Sequence, residues 1–372
     1  MLKFSLKAKK KPINQPFFVS TFALMNFNDE LLNWYQNNKR DLPWRNTTDA
    51  YVIWLSEIIL QQTRVEQGRP YFNRFLEQYP TVNHFAAATE DEVLKLWQGL
   101  GYYSRGRNML KTARLVQEQY AGIFPTGYDQ LVKLTGIGEY TAAAISSFSS
   151  NEAKAVVDGN VYRVLARYIG IDEPINSTKG KKIFQETAND FLNKKAPGMH
   201  NQAMMEFGAI VCKPKNPACG ICPVRAGCYA FKHNAINSLP VKINKVKVRE
   251  RYFNYFLVND ESNVLVNRRD QTDIWANMYD LPMVETSSLL APAELFDHPE
   301  VVEYFGRNLK IADILPVKKH ILTHQRLFVR LVILQNPAVK TKETWTFISP
   351  DNLKSLAIPK IIFLFLKNIF NL

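Results

Sequence analysis

Residues 128–148 read "YDQLVKLTGIGEYTAAAISSF". The pattern predicts a helix over 128–134, a turn through Gly136 and Gly138, and a second, alanine-rich helix over 139–147. Glycine at 136 and 138 lets the backbone turn tightly and brings bare N–H groups and a helix N-terminus close to an anion. This is a helix-hairpin-helix pattern, although an ordinary glycine cap between two packed helices would use the same residues. The surrounding sequence has to decide between them.

That surrounding sequence is helical throughout. Asn28 or Asp29 can cap "ELLNWYQNNK", and further helices are expected at 70–78, 91–97, 105–120, 161–168 and 180–192. "YVIWLSEIILQQTRV" (51–65) also has helical spacing. Residues 28–235 therefore read as one all-α domain.

A chain of 372 residues has room for two domains. Its 47 Lys and Arg against 34 Asp and Glu leave a net charge of +13, which favours a polyanionic partner, nucleic acid or an anionic membrane surface. No apolar run approaches the ~20 residues a membrane helix needs. The C-terminal "IPKIIFLFLKNIF" is interrupted by Lys360 and Lys367, which excludes a membrane partner of the spanning kind. Basic "KAKKK" ahead of "PFFVSTFAL" imitates a secretory signal but lacks a small-residue cleavage site. Residues 1–27 are expected to be a disordered basic tail and the protein to be cytoplasmic.

The only cysteines are Cys212, Cys219, Cys222 and Cys228, separated by six, two and five residues. Two disulfides are conceivable, but a long chain with a good core does not need them, and such clustering points to metal. Four thiolates suit tetrahedral zinc or a four-iron cluster. Lys213, Lys215 and Arg225 among them would present positive charge to phosphates.

Two acids stand out. Glu57 shares a helix face with Ile53, Trp54, Leu60 and Gln61, where desolvation raises a carboxyl pKa and keeps its proton near neutrality. Pairing with an arginine is the structural alternative. Asp158 precedes a helix in "AVVDGNVYRVLARYIGI". It can simply cap that helix, and the helix end would hold it ionised. Two carboxyls in opposite states can divide glycosidic cleavage, one protonating the leaving group and the other stabilising an oxocarbenium-like sugar.

The stretches "LPWR", "WLSEIILQQT", "GLGYYSRGRN", "GIGEYTAAAI", "VVDGNVYRVLAR", "NQAMMEFGAIVC" and the cysteine loop together resemble the adenine DNA glycosylase (MutY) family of the endonuclease III superfamily. The resemblance implies a [4Fe–4S] cluster on the four cysteines and a monomer that acts on duplex DNA carrying A:8-oxoguanine or A:G pairs. It implies that Glu57 protonates adenine N7, that Asp158 stabilises the sugar cation, and that Tyr140 and Asn160 stand around that aspartate. Arg45 would lie near the flipped adenine. Gln62 and Tyr102 would wedge the stack, in keeping with the need to fill a gap when a base is extruded. Gly136 and Gly138 would grip a phosphate. Tyr140 occupies the position at which the related glycosylase/lyases carry a lysine nucleophile, so base removal without strand cleavage is expected. Thr135 departs from the family, which has proline before the hairpin glycine.

Residues 236–250 read as a basic linker, in a stretch where Lys242, Lys245, Lys247, Arg249 and Arg251 alternate with smaller residues. Beyond it, "YFNYFLV" and "NVLVNRR" around "NDESN" predict a hairpin, and "LFVRLVILQ" and "TWTFI" add strands. Helices are expected at 295–306 and 351–370. This α+β region, 251–372, resembles the family's Nudix-like C-terminal domain through "RRDQTDIWANMYDLP" and "HILTHQRL". The family's aromatic–Ser–His tip appears as Leu322, Thr323 and His324, which would read 8-oxoguanine. The glutamate-rich Nudix metal box is missing from the sequence, so nucleotide hydrolysis is not expected. An endonuclease III-like lyase and a non-catalytic iron–sulfur DNA-binding protein are the competing readings. Tyr140 argues against the first, and Glu57 with Asp158 against the second.

Overall fold

The computed structural model describes residues 21–243, 248–260, 262–335 and 337–371. The tail up to residue 20, the linker lysines 245 and 247 and Glu261 of the expected turn lie outside the described residues. By compactness the chain divides into two units. One takes residues through Ile58 and from Phe124 to the linker, the other Ile59–Ile123 and the chain beyond the linker.

The first unit is helical. Its first helix is Thr21–Asn38, so it begins inside the stretch expected to be tail and runs through Asn28 and Asp29. Asn28 caps nothing: its Nδ2 donates to the Phe191 carbonyl at 3.0 Å. Phe27 and Leu31 are fully buried beside Phe184, Phe191 and Phe207. That anchorage, which no local signal announces, extends the helix backwards. Helices Ala50–Ile59, Tyr128–Leu131, Glu139–Ser150 and Gly159–Leu165 follow. The last of these runs on into one wide π-type turn, Ala166–Gly170. Helix Thr178–Phe191 is capped by Ser177, whose Oγ accepts from the Gly180 N–H at 2.8 Å. It buries Gly180, Phe184, Ala188 and Phe191 at three- and four-residue steps. Helix Pro197–Ile210 leads into the cysteine loop.

The second unit opens with helices Val65–Gln78, Val82–Ala86, Glu90–Leu96 and Ser104–Gln119. Thr89 and Glu92 form a capping box. Pro70 lies inside the first of these helices rather than at its start as expected. Among the described residues seven strands come after the linker: β1 Arg249–Leu257, β2 Val264–Arg268, β3 Tyr279–Asp280, β4 Met283–Thr286, β5 Ile311–Ile321, β6 Gln325–Leu334 and β7 Trp345–Ile348. They form two sheets, ordered β4-β1-β6-β5 and β3-β2-β7.

The expected hairpin of β1 with β2 is therefore wrong. One antiparallel bridge, Asn259 to Val264, starts it. The strands then part, and β1 pairs in parallel with β6. Phe253 and Tyr255–Leu257 of β1 are buried, as befits a central strand covered on both faces. The expected helix 295–306 is split into Pro292–Phe296 and Pro299–Phe305, and the helix 351–370 into a 3₁₀ turn and Lys360–Phe370. In both cases a proline, Pro299 or Pro359, opens the second segment, because it cannot continue the ladder of the first. Strand β5 was missed for its charges and Pro316. It is an edge strand, and the proline sits at a bulge between Leu315 and Lys318, where no ladder bond is lost.

Gly208 sets how closely helix Pro197–Ile210 approaches Asn160. A Cβ there would stand 2.5 Å from the Asn160 Cβ and 3.0 Å from its Cα. Gly159, next along the chain, has open space. Gly208→Ala is therefore expected to cost ~1–3 kcal/mol by overpacking, while Gly159→Ala stays within about 0.5 kcal/mol of the parent. Urea denaturation of the two variants checks this, and equal midpoints would refute the close-approach role.

Candidate active site and cluster loop

The helix Ala50–Ile59 is almost wholly apolar, which buries it and carries Glu57 inside with Ile53, Trp54 and Leu55. No guanidinium or ammonium group pairs with Glu57 among the described residues. Its hydrogen-bond partner is the Tyr140 hydroxyl, which donates to Oε2 at 2.5 Å. Burial pushes the Glu57 carboxyl up to about 7, with a further push from the charge of Asp158; the Tyr140 bond and Arg45 oppose it. Burial also holds the Tyr140 hydroxyl well above its usual range, so it stays a donor.

Asp158 caps helix Gly159–Leu165. Its Oδ1 accepts from the Asn160 and Val161 N–H groups at 2.8 Å each, and its Oδ2 from the Asn160 side chain at 2.7 Å. The helix end alone was expected to keep this group ionised. Burial instead raises its pKa, and the three hydrogen bonds and the Arg163 charge act against that rise. The structure thus brings Glu57, Tyr140, Asp158 and Asn160 together, but it attaches Tyr140 to the glutamate, not to the aspartate.

Arg45 sits behind this group. It donates to Glu206 at 2.7 Å, as does Arg40 at 2.7 Å, and lies over the Tyr35 ring at 5.9 Å. Glu206 is fully buried, and the two guanidiniums hold its carboxyl down at about 2. Sequence reading passed over Glu206, although it carries the same signal as Glu57, one acid among apolar helical neighbours (Met204, Met205, Phe207). Arg163 was also missed. Its guanidinium donates to the Asn160 side chain at 2.8 Å and to the carbonyls of Gly208 at 2.7 Å and Cys212 at 2.6 Å.

The hairpin has the expected form. Gly136 has φ of +78°, which L residues rarely adopt, and Gly138 precedes helix Glu139–Ser150 with nothing near the place of its missing side chain.

In the second unit, Gln62 and Tyr102 both adopt left-handed backbone, with φ of +55° and +49°. Such strain in non-glycine residues clusters at functional positions. Arg105 ties the two segments together, donating to the Gln61 carbonyl at 2.8 Å and the Gly101 carbonyl at 3.2 Å. The hydroxyls of Tyr102 and Thr323 are hydrogen-bonded. Thr323 and His324 lie in the turn between β5 and β6 and, with Tyr102, Trp275 and His320, line a cavity of about 510 Å³. A nucleobase fits within that volume.

The four cysteine sulfurs are free of disulfides and line one cavity beside Arg167 and Tyr168. Burial pushes the Cys222 thiol up to about 12 and raises Cys219 and Cys228, with mutual repulsion among the sulfurs adding to it. A bound cation is what turns such thiols into thiolate ligands. Among the described residues no three His, Cys, Asp or Glu side chains converge closely enough to hold a single ion. Four sulfurs spaced around a cavity fit a multi-iron cluster better than one zinc.

Residues 55–191 match the model of the HhH-GPD superfamily of base excision DNA repair proteins, residues 212–228 that of the iron-sulfur binding domain of endonuclease III, and residues 254–368 that of the NUDIX domain. The chain's cofactor is a [4Fe–4S] cluster. An adenine DNA glycosylase of Buchnera aphidicola subsp. Baizongia pistaciae is 32% identical over 308 residues, which span 82% of this chain and 84% of that protein. An adenine DNA glycosylase of Mus musculus is 42% identical over 215 residues, 55% of this chain and 42% of that one. A thermostable thymine-DNA glycosylase of known structure is 28% identical with a TM-score of 0.52, covering 56% of this chain and 96% of its own. Among the described residues no helix is long and apolar enough to cross a membrane. With a shared identity that extends over both regions of the chain, the protein belongs to the adenine DNA glycosylase family.

Proposed function

We propose that this enzyme removes adenine paired with 8-oxoguanine or guanine in duplex DNA, hydrolysing the N-glycosidic bond without cutting the strand. The observation that carries this reading is Glu57: a buried carboxyl that keeps its proton near neutrality and feels the charge of a second, heavily hydrogen-bonded carboxyl, Asp158. Because Oε2 accepts from Tyr140, the proton resides on Oε1, from which it passes to adenine N7. The base leaves neutral, and the cationic sugar that remains is stabilised by the negative Asp158, held in place by Asn160. Water then adds to the sugar. Tyr140 offers a hydroxyl that burial keeps protonated, with no amine to form a Schiff base.

The other assignments belong to the same proposal. Arg45, fixed by Glu206, contacts the flipped adenine. Gln62 and Tyr102, poised in strained backbone, enter the stack. The N–H groups around Gly136 and Gly138 bind a phosphate. Thr323 and His324 read the 8-oxoguanine. Cys212, Cys219, Cys222 and Cys228 ligate the cluster, which would hold the positively charged loop in shape against DNA. The protein acts as a monomer.

Duplexes carrying A:8-oxoguanine, A:G or C:8-oxoguanine, analysed with and without alkali, test the reading. The first two are expected to lose adenine and to be nicked only after alkali. Nicking without alkali would establish a lyase, and three intact duplexes would overturn the catalytic assignment. The single-turnover rate is expected to fall about tenfold per pH unit above 7 as Glu57 loses its proton.

Stability follows from the same group. Glu57 titrates near 7 when folded and near 4.5 when unfolded. Ionisation therefore opposes folding from about pH 4.5 upward, with the full cost of roughly 3 kcal/mol reached above about pH 7. Glu57→Gln removes that cost. The variant is expected to be inactive, to bind DNA normally, and to be more stable than the parent at pH 8 by up to about 3 kcal/mol but hardly so at pH 5. Denaturant titrations at the two pH values check it, and a Gln variant less stable at pH 8 would show that the carboxylate serves the fold.

A further inference from the structure

A buried cation is costly unless its charge is balanced, and among the described residues no carboxylate pairs with Arg167. It is 3% exposed and lies in the π-type turn Ala166–Gly170, a distortion that often marks a functional position. Its Nε donates to the carbonyls of Ile236 and Leu239 at 3.1 Å each. Nη1 donates to the Lys213 carbonyl at 2.7 Å and to the Cys212 Sγ at 3.5 Å, and Nη2 to the Pro214 carbonyl at 3.2 Å. These acceptors satisfy its N–H groups but carry only partial charge. No Asp or Glu pairs with it among the described residues. Among the other buried guanidiniums, Arg251 has Asp273 and Glu285, whereas Arg330 donates to the Leu290 carbonyl and, like Arg167, has no acid paired with it among the described residues, but it lies far along the chain from the cysteines. Arg163 has Asp158 within range. The guanidinium's sulfur contact is with Cys212; the Cys228 Sγ stands 3.5 Å from the backbone carbonyl oxygen of Arg167, so the main chain of the same residue also borders the cysteine loop.

We propose that Arg167 is the fixed counter-cation of the iron–sulfur cluster and holds its reduction potential up through its charge and its N–H to the Cys212 sulfur. The inference rests on the four-thiolate assignment made above. Four thiolates give the cluster net negative charge. One-electron oxidation, with ferricyanide as acceptor, takes an electron from the cluster and removes one negative charge beside the guanidinium. A cation held there favours the more negative state and so resists oxidation. Hydrogen bonds to a ligating sulfur act in the same direction.

Arg167→Lys and Arg167→Gln, as iron-loaded full-length proteins, test this. Lysine keeps the charge but not the fork, while glutamine keeps a donor without charge. The midpoint potential, read by voltammetry on a DNA-coated electrode, is expected to fall from parent to Lys to Gln. The fraction of cluster in the oxidised, paramagnetic form after a fixed dose of ferricyanide is expected to rise in the same order. If neither variant retains iron, chelated apoproteins decide: apo parent, with a stranded buried cation, should melt below apo Arg167→Gln, and the reverse order overturns the proposal. Unmoved potentials in iron-bearing variants overturn it alone, even with lowered melting temperature, which would leave Arg167 a packing residue. A parent protein without iron would overturn the ligand assignment as well.

Discussion

A carboxyl buried without a charged partner must hold its proton, and that constraint on Glu57 organises the helical unit. The apolar helix Ala50–Ile59 exists to be buried, and burying it is what lifts Glu57 to about 7. Had Arg45 reached this carboxyl, the acid would have become an ordinary ion pair. Glu206 prevents that, because it holds Arg45 at 2.7 Å and leaves only a long-range influence on Glu57. Among the described residues the hydrogen-bond partner of Glu57 is a neutral hydroxyl, Tyr140, whose bond fixes the orientation of the carboxyl without neutralising it. Two glutamates on two apolar helices thus end in opposite protonation states for reasons visible in their neighbours.

The same division of labour appears around Asp158. Its hydrogen bonds come from its own helix end and from Asn160. Asn160 is held by Arg163, and Arg163 also grasps the carbonyls of Gly208 and Cys212. The position of the aspartate therefore depends on a helix whose glycine permits close approach and on the first residue of the cluster loop. The cysteine loop is consequently coupled in geometry to the position of Asp158.

What the sequence disclosed was local or periodic. The hairpin glycines, the Asp158 cap, the cysteine spacing and the buried acid at Glu57 each follow from residue type and spacing, and the structure places them as those rules require. What it hid depends on partners distant in the chain. The helix at Thr21 is stabilised by Phe191 and its neighbours, more than 160 residues away. β1 and β2 look like a hairpin because adjacent strands usually pair, yet β1 has a better partner in β6. Prolines at 299 and 359 split two helices that hydropathy alone joins. The left-handed backbone of Gln62 and Tyr102 carries no compositional mark, since glycine is the residue expected there.

Burial of charge by itself does not identify a catalytic group, and this chain shows why. Glu206 and Asp280 are as buried as Glu57. Glu206 accepts from two guanidiniums and is held near 2. Asp280 is raised by burial, but Arg269, Asn267 and Tyr255 all donate to it. In each, both carboxyl oxygens already accept from protein donors. Glu57 is different because its set is open: one oxygen accepts from Tyr140, and among the described residues the other has no protein donor that would compete with a substrate. The feature that separates the acid proposed to react from the supporting ones is thus the unfilled valence of one carboxyl oxygen combined with a pKa near neutrality. Either feature without the other describes a structural residue.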